Sequence, residues 1–85
     1  MDAQTLADAI AIADAAPTVR AAAAALRARF APMRVVVVDA FDMRHEKPAA
    51  SGATHQLYLG ASDGHCWTVT TSPEQATGLF IAERG

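Results

Sequence analysis

The side chains with the chemistry for catalysis or metal binding gather in three places: Asp42, His45 and Glu46 together, His55 at the head of an alternating run, and His65 beside the lone Cys66. Imidazole and carboxylate are good donors for zinc or another divalent ion, so a metal is the first chemistry to weigh. The spacing does not spell a known metal motif. His45 has no second histidine four residues on, and one cysteine cannot make a CxxC pair, so a metal would need His45, Glu46 and His55 drawn together from separate segments. His55 and His65, near opposite ends of a hairpin, stand about 20 Å apart on strand rise alone and cannot share one ion.

Nucleophilic chemistry at Cys66 would need a neighbouring base to generate the thiolate. His65 is adjacent in sequence, but neighbours in a strand point to opposite faces, so the pair is set against itself. Cys66 reads instead as a small packing residue. Asp42 and Glu46 could act as acid and base only if one sat in an apolar setting and the other in a solvated one, and both have polar surroundings. No catalytic residue is assigned. Tyr58 projects beside Gly60, which leaves room above the backbone, and it reads as an exposed aromatic contact. The candidate binding set is therefore Asp42, His45, Glu46, His55 and Tyr58, with no cofactor expected and a divalent metal as the alternative.

These residues must be carried by a small α+β framework. Residues 3–15 are good helix formers with Leu6, Ile10 and Ala13 at helical spacing, and Asp2 at the start suits the helix dipole. Pro17 breaks the helix and can begin another, in which Val19, Ala22 or Ala23, Leu26 and Phe30 make an apolar stripe that Pro32 ends. Arg20, Arg27, Arg29 and Arg34 form a positive run, read as a solvated face paired with the acids Asp2, Asp8 and Asp14.

The valine run from Val35 to Val38 is the strongest strand signal, and it is apolar on both alternating sets. Such a strand is covered on both faces or central to its sheet. The helices can cover one face, so the other calls for cover from the other helical segment or from a second subunit, and the chain reads as a homodimer. Asp39 interrupts the run as a fraying-end carboxylate. Residues 42–54 form a long charged connection, a surface loop or a binding loop.

Two runs joined across Asp63-Gly64 read as a β-hairpin. A two-residue loop would leave both faces mixed. A three-residue loop, with Gly64 in a bulge, sets Ala61 opposite His65 and Leu59 opposite Trp67, gathering Leu57, Leu59, Trp67 and Val69 on the helix side. Burial favours the second register, which leaves Tyr58, Cys66, Thr68 and Thr70 on a mildly polar face. Residues 72–78 fit one short helical turn capped by Ser72 and closed by Gly78, and 79–83 a last strand.

The expected fold is thus two N-terminal helical segments on one face of a mainly antiparallel sheet of three to four strands, at about 34–41, 55–61, 65–71 and 79–83, in a single domain over 1–85. A net charge of −2 offers no general attraction for nucleic acid or an anionic membrane. The arginines have no interleaved aromatics for stacking on bases. Asp8 and Asp14 interrupt the first apolar stretch, so it reads as neither signal peptide nor membrane span, and the chain as cytoplasmic. The function expected is a non-catalytic binding or accessory domain acting through protein contact, as a homodimer. The alternative is a small-ligand or metal-binding domain, or a minor enzyme, centred on Asp42, His45, Glu46 and His55.

Overall fold

The computed structural model describes residues 2–62 and 66–84. Two helices, α1 (Ala3–Ala15) and α2 (Val19–Phe30), precede five strands: β1 (Arg34–Val37), β2 (Ala50–Ser51), β3 (His55–Ser62), β4 (Trp67–Thr70) and β5 (Gly78–Glu83). The class is α+β, with one more strand than expected. Both helices begin on side-chain caps. The Thr5 amide donates to Asp2 Oδ1 at 2.8 Å, and the Ala21 amide to Thr18 Oγ1 at 3.0 Å. Each satisfies an amide that the first helical turn leaves without a partner. No helix among the described residues is long and apolar enough to cross a membrane.

The sheet runs β1-β5-β3-β2, with β4 also paired to β3, so β2 and β4 divide one side of β3 between them. β3 is antiparallel to β2, β4 and β5, whereas β1 lies parallel to β5. The valine strand is therefore an edge, not the centre. The central place belongs to β5, buried from Gly78 to Ala82. Val35 is buried, but Val36 and Val37 are 37% and 40% exposed.

Each face of the sheet has its own core. On the helix face, Val35, Leu57, Leu59, Leu79 and Ile81 pack against Ala9, Ala13, Ala22, Ala23 and Leu26. The small alanines let the helices lie close to the strands, and the expected stripe of α2 is the buried one. On the opposite face, Tyr58, Phe80 and Ala82 pack with Met43, flanked by Val38, Ala40, Trp67 and Val69. Met43 comes from a series of tight turns over residues 40–45, so the chain covers its second face itself. The subunit expected there is not needed for that cover.

The hairpin departs from the expected register. Leu59 pairs with Thr70, Gly60 with Val69, Ala61 with Thr68 and Ser62 with Trp67. Trp67 and Val69 therefore share the face of Tyr58 and Gly60, and four residues connect the strands instead of three. The physical reason is that both faces are apolar, so burial cannot choose between them. Trp67 is sheltered on the second face, its ring edge-on to Phe80 with centroids 6.0 Å apart. The turn residues Asp63 and Gly64, and the proposed partner His65, lie outside the described residues. Residues 73–75 make a single turn, and Gly78 starts β5 instead of closing a helix.

Candidate functional site

An acid in the last turn of a helix faces the negative end of the dipole and needs compensation from elsewhere. Asp14 is such a residue in α1, and its compensation comes from the turn that leads into β3. Its Oδ2 accepts the Ala53 amide at 2.7 Å, and its Oδ1 accepts the Thr54 hydroxyl at 3.0 Å, the His55 amide at 3.2 Å and the Thr54 amide at 3.3 Å. Burial by itself pushes the Asp14 carboxyl up. The hydrogen bonds from Ala53, Thr54 and His55 outweigh it and hold the group below the usual 3.8.

His55 completes the arrangement. It is only 4% exposed, with Nδ1 2.9 Å from Thr54 Oγ1 and 3.4 Å from Asp14 Oδ1. Thr54 has one hydroxyl proton and gives it to Asp14, so Nδ1 carries the ring proton and donates to Thr54. Nε2 is then the ring nitrogen left outside the cluster. It makes no hydrogen bond, and since no buried side-chain nitrogen is left unpartnered among the described residues, Nε2 reaches solvent. His55 lines a cleft of about 370 Å³ together with Thr18, Thr54, Glu83 and Arg84. Arg84 also braces the turn, its amide donating to the Thr54 carbonyl at 2.9 Å and its guanidinium to the Gly52 carbonyl at 2.7 Å.

An imidazole held at Nδ1 by Thr54 and Asp14, with Nε2 open, can accept a hydrogen bond from a ligand through Nε2. The hydroxyls in the described lining belong to Thr18 and Thr54, and Thr54 gives its proton to Asp14. The Thr18 hydroxyl is engaged as the cap of α2, and Cys66 follows the far end of β3, about 20 Å or more away by strand rise.

The other expected residues do not join His55. Asp42, His45 and Glu46 are exposed in and just after the 40–45 turns, on the sheet face opposite α1 and His55. Among the described residues no three His, Cys, Asp or Glu side chains form a group that could hold a metal, so His45, Glu46 and His55 do not make one. Tyr58 is not an exposed contact. It is 3% exposed beneath Met43, with its hydroxyl donating to Gln56 Oε1 at 3.1 Å. Burial, and then the charge of Glu46, raise its pKa above 10.0. Asp14 pairs with this turn rather than with the arginines of α2. Its position at the wrong end of a helix was the sequence signal that could have marked it.

Fold and site together define a small open-sheet α+β domain with a caged Asp14-Thr54-His55 cluster where the first helix meets the sheet. Residues 8–84 match a family of unknown function (DUF6129), and the chain belongs to that family. No curated protein and no solved structure matches the chain.

Proposed function

We propose that this is a non-catalytic binding or accessory domain that works through protein contact and self-associates as a homodimer. The observation that carries the reading is the β1 margin: an edge strand with Val36 and Val37 over a third exposed, followed by Phe41 at 66%. Scattered apolar residues are ordinary on a surface, but Val36 and Val37 belong to the open edge strand itself and Phe41 follows it in the chain. Because Met43 closes the second sheet face, the contact belongs at β1 instead. Sedimentation equilibrium tests it: wild-type chain should dimerise at micromolar concentration, and Val37→Lys should shift it toward monomer. A wild-type chain that stays monomeric at high micromolar concentration overturns the homodimer.

A second reading, small-ligand binding, has the His55 cleft in its favour. With Nε2 as an acceptor and the Glu83 carboxylate beside it, the cleft suits a small ligand that donates hydrogen bonds, such as an amine or polyol. Ligands that bind only the folded state raise the melting temperature by mass action. A panel of small amines and polyols should include one that stabilises wild type but not His55→Phe. No shift at millimolar concentration across the panel sinks this reading.

A further inference from the structure

We propose that a second copy of this chain adds its β1 to the β1 edge, antiparallel and about a two-fold axis, and that Arg27 changes partners as it does so. The proposal rests on the homodimer reading above and specifies its contact. The Val38 amide donates to the Ile81 carbonyl at 2.9 Å. By the alternation of a parallel ladder, Arg34 and Val36 point their backbone groups toward β5, while Val35 and Val37 point theirs outward. The outward Val35 carbonyl is occupied by the Arg27 side chain, with Nε at 3.1 Å and Nη2 at 2.8 Å. No hydrogen bond reaches the outward groups of Val37 among the described residues. A groove of about 400 Å³ runs along this edge from Pro32 to Val37, with Arg27 and Arg34 as its charged walls.

The charges of the edge select a second copy as occupant. An antiparallel ladder forms only where outward residues face outward residues, which sets Val37 opposite Val37 of the second copy, or Val35 opposite its Val37. In the first register Asp39 of the second copy stands opposite Val35, and in the second opposite Met33. Asp39 follows the end of β1 and lines a cleft with Val19 and Val37, on the helix side, so in both registers the second copy's Asp39 lies on that side; its Oδ1 accepts the Phe41 amide at 2.7 Å, and Oδ2 is the oxygen for a new partner. Arg27 reaches the edge from α2 on that same side. Its guanidinium therefore leaves the Val35 carbonyl to an incoming amide and takes the Asp39 carboxylate, a stronger acceptor because it is charged. Symmetry repeats the exchange at the other end. The pairing also covers the exposed Val37 on the helix face and the exposed Val36 on the other.

Charge exchange in the full chain tests this. Arg27→Glu and Asp39→Lys should each weaken the dimer by about 10-fold or more, since each sets like charges together. The combined variant should return to within about threefold of wild type, the signature of a directly coupled pair. In wild type, hydrogen exchange at the Val37 amide should slow on dimerisation, a readout that does not depend on how the variants fold. Single variants that weaken the dimer without recovery in the combination overturn the Arg27 to Asp39 pairing. A dimer indifferent to both substitutions, with Val37 unprotected, means contact elsewhere and leaves the homodimer standing. A monomer overturns both.

Discussion

The carboxylate of Asp14 fills the space that a side chain on Gly52 would need: a β-carbon built there falls 2.6 Å from Asp14 Cγ. Asp14 cannot simply swing aside, because amides from Ala53, Thr54 and His55 hold it. Gly52→Ala should therefore cost about 1–3 kcal/mol in urea unfolding, the usual range for forcing atoms into an occupied site. In an Asp14→Gly background the same substitution should cost much less. Equal costs in the two backgrounds would show that the two positions are not coupled.

The same carboxylate makes stability depend on acid. The folded-state pKa of Asp14 lies below 3.8, so its stabilising effect is complete above that value and is lost as pH falls through the lowered one. Asp2 contributes in the same sense through its bond to Thr5. Comparison with Asp14→Asn isolates Asp14. The stability gap between wild type and variant, from urea melts in a pH series, should be widest above pH 3.8 and close as pH drops below it. A gap that ignores pH would contradict the assignment.

Tyr58 titrates at the alkaline end. Burial and Glu46 raise its pKa above 10.0, so the folded state keeps the phenol proton longer than the unfolded chain does. Stability should then fall as pH rises past 10.0. Ultraviolet titration of this single tyrosine should show a midpoint above 10.0, and Glu46→Gln should lower that midpoint. An unmoved midpoint would separate Glu46 from Tyr58.

Trp67 lies across two glycines. A β-carbon on Gly78 would meet the indole at 2.9 Å and the Arg34 carbonyl at 2.9 Å, and one on Gly60 would meet the indole at 3.1 Å. Gly78→Ala should destabilise by about 1–3 kcal/mol and alter the fluorescence of the only tryptophan. Unchanged emission and stability would mean that the indole does not rest there.

What the sequence made legible was local. Pro17 and Pro32 bound α2, Asp2 starts α1, and the alanine and leucine stripe of α2 faces the sheet as its spacing implied. The facing of β4 was not legible, because Trp67 and Val69 find apolar cover on the second face. That cover comes from Met43, inside a stretch whose charged neighbours gave it the look of open loop. β2, two residues long, carries too little pattern to stand out. The Asp14 cluster was hidden for another reason: its partners lie 39 to 41 positions away, and only the tertiary fold brings them together.

The division of one side of β3 between β2 and β4 bears on how far assembly can go. That margin offers a strand of two residues and another of four, offset along β3, in place of one continuous ledge for a further strand. If the opposite margin, β1, pairs with itself about a two-fold axis as proposed, the pairing consumes it in both copies at once. A dimer so paired would be left with broken margins alone, and its growth would end at two copies instead of extending into a fibre.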